Sequence, residues 1–360
     1  MTDNNKTRIV VGLSGGVDSS AAASLLVEQG YDVVGITLKV WPQDCVARAE
    51  DKCCGPQAVM DARSVADKLD IPYYLVDESK EFQRDVIDYF AAEYKAGRTP
   101  NPCVMCNEKL KFGNLIDRAR KLGAEYVATG HYARLEQRDG RTVLLRGRDA
   151  RKDQTSFLFS LGQEQLAHMM FPLGELQKSE TREVARCVNL KTAEKQESQE
   201  ICFVPDKDYK KFLTTAGLVE EHRGEIVDTR GQVLGHHDGI EFYTIGQRKG
   251  LGISSPTPMY VIELDPKNNR VVVGGEELLL RDEFRIDRCN WIAFDHLTKP
   301  IEASAAIRYN HPGTEATVIP GENGQATVKL REPQRAVTPG QACVFYQDDL
   351  VVGGGWIMRN

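Results

Sequence analysis

The segment Arg8-Ile-Val-Val-Gly-Leu13, followed by Ser14-Gly-Gly-Val-Asp-Ser-Ser20, decides the fold of this chain. Its first half is a short apolar run, typical of a strand buried on both faces of a parallel sheet. Its second half is rich in glycine and serine and leads into a stretch from Val17 to Gln29 that we expect to be a helix ending at Gly30. Glycines at such a turn let backbone N–H groups face an anion at the positive end of the helix. The segment therefore predicts a phosphate-binding loop in an α/β fold.

Two common nucleotide motifs do not fit this loop. It lacks the Gly-Lys-Ser/Thr ending of a Walker A loop and the Gly-x-Gly-x-x-Gly of dinucleotide-binding folds. Over six positions it is similar to the Ser-Gly-Gly-x-Asp-Ser loop of enzymes that cleave ATP between the α and β phosphates, where the loop holds the leaving pyrophosphate. A carboxylate beside two phosphates repels them unless a cation intervenes, so we expect Asp18 to serve Mg²⁺.

Hydrophobic periodicity divides the chain into three domains. In residues 1–205, apolar runs at 31–40, 72–76 and 125–129 alternate with helical patterns at 57–69, at 82–95 and from near Asn107 to Gly123. This alternation indicates an α/β domain with a parallel sheet. Residues 206–272 carry short β-branched, glycine-punctuated runs and are predicted to be a small β-rich domain. Residues 273–360 contain further apolar runs at spacings typical of a small β-barrel or sandwich.

The bulk composition excludes several classes of protein. At 360 residues with a formal net charge of −6, the chain is long enough for more than one core and is not generally basic. The N-terminus lacks the apolar core of a signal peptide and no apolar run can span a bilayer, so we expect a cytoplasmic protein without a membrane partner. One local basic run is interpreted either as a solvated turn or as a contact to a phosphate backbone: Arg141, Arg146, Arg148, Arg151 and Lys152.

The nine cysteines are scattered over a long chain, which favours thiol chemistry or metal ligation over a disulfide scaffold. Cys103 and Cys106 form a Cys-x-x-Cys pair just before the helix expected from near Asn107, and a helix N-terminus favours a thiolate at Cys106. A second pair at metal-ligand spacing is missing from the sequence, so zinc ranks low. Cys202 lies between two apolar residues and is by itself more typical of a small buried hydrophobe. The remaining cysteines are expected to be structural, with Cys53-Cys54 as a weaker candidate for an exposed thiol site: Cys45, Cys53, Cys54, Cys187, Cys289 and Cys343.

The order of these features resembles one family. The phosphate loop is followed by Thr-Pro-Asn-Pro-Cys-Val-Met-Cys-Asn at 99–107, Ala-Thr-Gly-His-Tyr at 128–132, Lys-Asp-Gln at 152–154, Ile-Cys-Phe at 201–203 and Tyr-Thr-Ile-Gly-Gln-Arg-Lys-Gly at 243–250. This series is similar to the bacterial-type tRNA-specific 2-thiouridylases from about residue 9 to residue 356. The resemblance implies an adenine nucleotide α-hydrolase-like first domain, a small central β domain and a C-terminal β-barrel that helps to hold tRNA. It also implies ATP and Mg²⁺ as cofactors, tRNA as partner, and a persulfide relay protein or hydrosulfide as the sulfur source.

The resemblance also assigns site residues. Nucleotide contacts are carried over to the loop and to two strand ends: Gly12, Leu13, Ser14, Gly15, Gly16, Val17, Asp18, Ser19, Leu38 and Gly130. Contacts to tRNA are carried over to three short motifs and three further positions: Asn101, Pro102, Cys103, His131, Lys152, Asp153, Gln154, Arg308, Tyr309 and Gln341. Within this set Asn101-Pro102-Cys103 would face the target base. Cys106 aligns with the family nucleophile, whereas Cys103 stands where many members carry aspartate, so any role of that carboxylate is not carried over.

The reaction implied by the resemblance is ATP-dependent 2-thiolation of a tRNA uridine, at wobble position 34. ATP would adenylate the C2 oxygen, a persulfide on Cys202 would attack C2, and Cys106 would resolve the intermediate through a Cys106–Cys202 disulfide. A second mechanism stays open at this point, because Cys103, Cys106 and Cys202 could instead hold a [4Fe–4S] cluster that binds hydrosulfide.

Two other functions compete with thiolation. One is another enzyme that cleaves ATP between the α and β phosphates, such as an amidotransferase synthetase or an argininosuccinate synthase, which would need no paired cysteines. The other is a non-catalytic tRNA-binding sulfur carrier, which would have no use for an intact phosphate loop. The chain has both the paired cysteines and the intact phosphate loop, so the sequence favours the thiolation enzyme.

Overall fold

A computed structural model of the chain describes residues 6–40, 55–195, 201–204 and 208–359. The described residues divide into two compact units: those within 1–86, 103–207 and 349–351 form the first, and those within 87–102, 208–348 and 352–360 form the second. Cys45 and the Cys53-Cys54 pair lie outside the described residues, so the prediction of an exposed thiol site there stays a prediction.

The first unit is built on a parallel sheet with the strand order β3-β2-β1-β4-β7. Its strands are β1 (Arg8–Gly12), β2 (Asp32–Lys39), β3 (Tyr73–Asp77), β4 (Tyr126–Ala128) and β7 (Met169–Met170). All four pairings are parallel. The chain winds from β1 towards β3 and then crosses to β4 on the other side of β1, so the strand order reverses between β1 and β4. Ligands of such sheets bind at this reversal, beyond the carboxyl ends of the strands.

Helices lie close to the four helical patterns predicted up to Gly123, with one displaced start. The helix expected from near Asn107 begins at Pro102 instead, because proline is well accommodated at the first position of a helix. Cys103 and Cys106 therefore lie inside the helix and not before it. The helices in chain order are α1 (Val17–Glu28), α2 (Pro56–Leu69), α3 (Ser79–Phe82), α4 (Tyr89–Lys95), α5 (Pro102–Met105), α6 (Leu115–Lys121), α7 (Gln163–Ala167), α8 (Lys178–Cys187) and α9 (Tyr209–Thr215). Of these, α7, α8 and α9 were not predicted.

Two π-helical stretches interrupt the long helices, one at Gln83–Asp88 between α3 and α4 and one at Cys106–Asn114 between α5 and α6. π-Helical geometry is rare and is enriched at functional sites. The second stretch starts at Cys106, one of the two cysteines that the sequence singles out.

The β-hairpin of β5 (Ala133–Arg138) and β6 (Arg141–Arg146) also belongs to the first unit, and sequence periodicity did not find it. The basic run at 141–152 starts on this hairpin, and two of its arginines have acidic partners. Arg146 lies 3.2 Å from Asp153 and Arg148 lies 3.5 Å from Glu180. The run is thus partly neutralised within the unit.

The second unit contains a four-stranded sheet in the order β10-β11-β8-β9. Its strands are β8 (Gly224–Val227), β9 (Val233–His237), β10 (Tyr260–Asp265) and β11 (Arg270–Gly274). Next to it in sequence, six antiparallel strands form a closed barrel in which β17 pairs back onto β12. The barrel strands are β12 (Leu280–Trp291), β13 (Ile301–Ala306), β14 (Thr314–Pro320), β15 (Ala326–Arg335), β16 (Ala342–Gln347) and β17 (Leu350–Ile357). The predicted order of an α/β domain, a small β-rich domain and a barrel is confirmed.

The barrel core is filled by alternate residues of its strands, including Phe284, Ile286, Val318, Val328 and Phe345, all at most 3% exposed. This alternation is the period-2 pattern expected when one face of each strand is buried. Short 3₁₀ turns lie at Thr155–Phe157, Ile240–Phe242 and Glu276–Leu279. Among the helices of the described ranges, none is long and apolar enough to cross a membrane.

Candidate functional site

The phosphate loop lies where strand order reverses, between the end of β1 and the start of α1. The Ser14 N–H donates to the Ser19 hydroxyl at 3.1 Å, and the Ser20 hydroxyl donates to the Gly16 carbonyl at 2.7 Å. Gly16 is the N-cap of α1 and makes no side-chain cap to the helix. Since the first N–H groups of a helix lack intrahelical acceptors, this end of α1 is suited to bind an anion.

Two glycines shape the loop for different reasons. Gly15 has φ +70°, and a Cβ there would lie 2.1 Å from the Ala58 carbonyl oxygen. Gly130, which follows β4, packs so closely on the start of α1 that a Cβ would lie 2.6 Å from the Ser19 nitrogen and from the Asp18 carbonyl carbon. The structure therefore brings Gly130 together with the loop, as predicted from strand ends. Leu38, next to last in β2, is half-buried near the same edge of the sheet.

Asp18, in the first turn of α1, is held by two residues that sequence reasoning missed. Lys178, the first residue of α8, places its ammonium 2.7 Å from Asp18 Oδ1, and its side chain is 12% exposed. The Tyr132 hydroxyl donates to the same oxygen at 2.9 Å and lies 2.9 Å from Thr181 Oγ1. Tyr132 ends the Ala-Thr-Gly-His-Tyr motif, so the sequence did carry a signal for it, whereas Lys178 lies in no motif.

A second lysine, Lys195, also stabilises the phosphate loop. The Lys195 ammonium donates to the Gly15 carbonyl at 3.0 Å and to Asp61 Oδ2 at 2.6 Å. Arg182 of α8 donates to the Ala193 and Lys195 carbonyls and so fixes the segment that carries this lysine. The loop conformation is thus held by residues far away in the sequence.

His131, predicted to contact tRNA, is buried in the first unit at 8% exposure. Its Nδ1 lies 2.7 Å from the Thr129 hydroxyl, and its ring packs near Phe112 and Phe171. Burial, with a smaller contribution from the charge of Lys111, holds the pKa of His131 well below its usual value. A neutral, buried imidazole offers little to an RNA phosphate, so the geometry favours a structural role.

The Lys152-Asp153-Gln154 motif, also predicted to contact tRNA, divides into two parts. The Asp153 carboxylate is engaged inside the unit by the Gly147 N–H and the Thr155 hydroxyl. Gln154 Oε1 accepts from the Tyr132 N–H at 3.0 Å. The side chains of Asp153 and Gln154 stabilise the local backbone. Lys152 is the cationic member of the motif and is therefore the one suited to contact a phosphate.

All three cysteines of the two motifs lie in the first unit. Cys103 and Cys106 are half-exposed on the helix that begins at Pro102, Cys202 is half-exposed beside the buried Phe203, and all three are thiols. Among the described residues, which include these three, no group of three or more His, Cys, Asp or Glu side chains is arranged to hold a metal ion. The [4Fe–4S] hypothesis, which needs three thiolates that converge on one point, stays a prediction of the sequence analysis.

In the second unit, the segment before Asn101 and Pro102 is joined to Gln341 of the barrel. Gln341 Nε2 donates to the Thr99 and Pro100 carbonyls at 3.1 Å each. These hydrogen bonds place Gln341, assigned to tRNA, next to the segment that leads into Asn101 and Pro102, which were assigned to the target base.

Arg308 and Tyr309 follow the barrel strand β13 and are exposed, Tyr309 at 41%. Arg308 donates a long hydrogen bond of 3.4 Å to the Arg335 carbonyl. The pair thus presents a cation and an aromatic ring side by side at the surface of this unit.

Comparison with known proteins agrees with this arrangement. Family profiles match residues 7–206 as a tRNA methyl transferase HUP domain, 210–275 as a tRNA methyl transferase PRC-barrel domain and 281–357 as an aminomethyltransferase beta-barrel domain. The tRNA-specific 2-thiouridylase MnmA of Clostridium perfringens is 50% identical over 353 residues, which cover 98% of this chain and 98% of that protein. This chain belongs to the tRNA-specific 2-thiouridylase family.

Further relatives support the placement in the 2-thiouridylase family. The tRNA-specific 2-thiouridylase MnmA of Moorella thermoacetica is 51% identical over 97% of this chain and 98% of its own length. Among solved structures, a 4-thiouridine synthetase–RNA complex with bound ATP reaches a TM-score of 0.35 at 18% identity, over 59% of this chain and 50% of that one. A TM-score this low carries no weight for fold or function, so the family assignment rests on the sequence relatives.

Proposed function

We propose that this 2-thiouridylase family member replaces the C2 oxygen of a tRNA uridine, at wobble position 34, with sulfur, at the expense of ATP. The observation that supports this most strongly is similarity at half identity over nearly the whole chain to proteins named for that activity. The uncapped start of α1 behind a glycine loop supports the use of a polyphosphate nucleotide.

The proposed reaction has two stages. First, the uridine C2 oxygen attacks the α phosphate of ATP, the bond to the β phosphate breaks, and pyrophosphate leaves. The terminal sulfur of a Cys202 persulfide then attacks C2, and AMP departs with the former C2 oxygen. The Cys106 thiolate finally attacks Cys202 Sγ, the bond between Cys202 and the transferred sulfur breaks, and the sulfur stays on C2. A Cys106–Cys202 disulfide remains, and an external dithiol must supply two electrons to restore both thiols.

The residues around the loop fit Mg²⁺ as a companion of ATP. Asp18 would hold the ion, which would neutralise phosphate charge when bound. The persulfide route is the one proposed, and no step is assigned to an iron–sulfur cluster. The sulfur of Cys202 is proposed to come from a persulfide relay protein, and the target base to lie against Asn101, Pro102 and Cys103.

Nucleoside mass spectrometry of tRNA from cells that lack the protein tests the sulfur chemistry. Complementation with the wild type should restore 2-thiouridine, whereas Cys106→Ser and Cys202→Ser should leave it at background, because neither variant can complete the transfer. Cys187→Ser is the matched control, since Cys187 is exposed at the end of α8 in the same unit. Normal 2-thiouridine in cells with Cys202→Ser would rule out the persulfide step.

Two barrel cysteines provide a second control. Burial raises the pKa of Cys289 to about 12 and also raises the pKa of Cys343, so both are protonated thiols at neutral pH. We expect Cys289→Ala and Cys343→Ala to retain thiolation. The adenylation stage is separable, because Cys202→Ser should still release pyrophosphate when tRNA and ATP are supplied.

A further inference from the structure

Lys178 occupies an unusual place for a cation. Its ammonium contacts Asp18 Oδ1 at 2.7 Å in the first turn of α1, and it lies 5.7 Å from the centre of the Tyr132 ring. The side chain is only 12% exposed. The N-terminus of a helix carries partial positive charge, so an ammonium group there is electrostatically unfavourable unless an anion compensates it.

Asp18 compensates this charge only while its carboxylate is available to Lys178. When a polyphosphate and its divalent cation bind at the loop, the carboxylate becomes a ligand for the metal. The Lys178 ammonium then needs another anionic partner, and the bound phosphates supply one. Lysine suits such an exchange because it is a point charge on a flexible stem that binds phosphate without a fixed orientation.

The position of Lys178 is fixed independently of Asp18. Its backbone N–H donates to Asp149 Oδ2 at 3.0 Å, and the Glu180 carboxylate accepts from the preceding Gln177 N–H in a capping box. The helix α8 packs on α1 through a cluster that includes Ala21, Ala22 and Val184. The start of α8 is thus held beside the loop whether or not Lys178 pairs with Asp18. A ligand-binding residue at this position would need such a fixed backbone.

We propose that Lys178 is a nucleotide-binding residue outside the loop: it neutralises Asp18 in the empty site and binds the pyrophosphate portion of ATP when Mg²⁺ takes Asp18. This rests on the proposed use of ATP. Lys195 differs, because its ammonium is held between the Gly15 carbonyl and Asp61 and so fixes the loop backbone.

Calorimetric titration of the full chain with inorganic pyrophosphate plus Mg²⁺, and separately with AMP, tests the proposal. Lys178→Met should weaken pyrophosphate binding by on the order of tenfold or more, because a hydrogen bond to a charged group is lost. AMP carries no β phosphate, so its affinity should change by less than about twofold. Lys178→Arg should retain most of the pyrophosphate affinity, and Lys191→Met, at an exposed lysine further along the same segment, should behave as wild type.

A second readout separates nucleotide binding from a merely structural ion pair. Without nucleotide, Mn²⁺ followed by electron paramagnetic resonance should bind Lys178→Met more tightly than wild type, because the ammonium no longer competes for Asp18. Unchanged pyrophosphate affinity in Lys178→Met, or equal losses for pyrophosphate and AMP, would overturn the assignment of Lys178. Failure of the wild type itself to bind Mg²⁺-pyrophosphate would overturn the proposed use of ATP as well.

Discussion

At the residue scale, the buried His131 couples the stability of the first unit to pH. Its pKa is held well below 6.5 by burial and by Lys111, so the folded protein resists protonation of this ring. Below about pH 6.5 the unfolded chain binds the proton more readily, and stability is lost as the pH falls. Above that pH both states are neutral and the residue contributes no pH dependence.

We therefore expect urea unfolding of His131→Asn to depend less on pH between pH 7.5 and pH 5 than that of the wild type, by on the order of 1 kcal/mol. The comparison is between the changes of unfolding free energy with pH. A loss of stability from the missing contact to Thr129 that is the same at every pH therefore does not affect it. His222→Asn, at an exposed histidine, is the control and should keep the wild-type slope. Equal slopes for His131→Asn and wild type would contradict a neutral buried ring.

Candidate site residues could be proposed from the sequence only where a short motif suggested the chemistry. The loop from Gly12 to Ser19 could be assigned because strand, loop and helix follow one another directly. Lys178 could not, since its partner Asp18 lies 160 positions earlier and only the packing of α8 on α1 joins them. The tRNA contact of His131 stays a prediction from its motif, and the fold leaves its side chain only 8% exposed.

At the element scale, the strand–loop–helix unit of β1 and α1 depends on one backbone position. Gly15→Ala places a side chain at φ +70° and drives a Cβ to 2.1 Å from the Ala58 carbonyl oxygen, so the loop must move. We expect a stability loss of about 1–3 kcal/mol from the backbone conformation alone, and loss of pyrophosphate binding from the displaced loop. Calorimetry and urea unfolding measure the two effects.

Gly30→Ala is the matched control for Gly15→Ala. Gly30 also has positive φ, at +87°, but a Cβ there meets nothing within 4 Å. The Gly30→Ala variant should lose about as much stability as Gly15→Ala but should retain pyrophosphate binding. Equal binding by both variants would mean that the loop is not the phosphate site.

Elements with a clear hydrophobic period were predicted well, and those without one were missed. The strands β1 to β4 of the parallel sheet and the helices α1 and α2 match their apolar runs closely, whereas β7 was not predicted. The π-helical stretch from Cys106 was not predictable, because a shift of hydrogen bonding from i−4 to i−5 leaves little trace in composition. The hairpin strand β5 was hidden because most of its residues are polar and partly exposed.

At the scale of the whole molecule, a net charge of −6 must be reconciled with a polyanionic substrate. Local basic groups, and not the overall charge, determine binding to a phosphate backbone. The domain boundaries after residues 205 and 272 stay predictions of the sequence analysis. The three-part order itself was predictable, since the change from helical to strand periodicity is visible along the chain.

The pair Arg308 and Tyr309 should contribute to tRNA binding in two separable ways. Arg308→Ala should weaken tRNA binding and lower the slope of log affinity against log salt by about one, because one phosphate contact and its released counterion are lost. Tyr309→Ala should weaken binding by about 1–3 kcal/mol without a change in slope, since base stacking releases no counterion. Arg331→Ala is the control, because Arg331 is a barrel arginine already paired with Glu315. Filter binding to purified tRNA at several salt concentrations measures both quantities. If Arg308→Ala and Arg331→Ala both gave the wild-type slope, Arg308 would make no phosphate contact. If Tyr309→Ala also kept the wild-type affinity, RNA binding by this face of the barrel would be excluded.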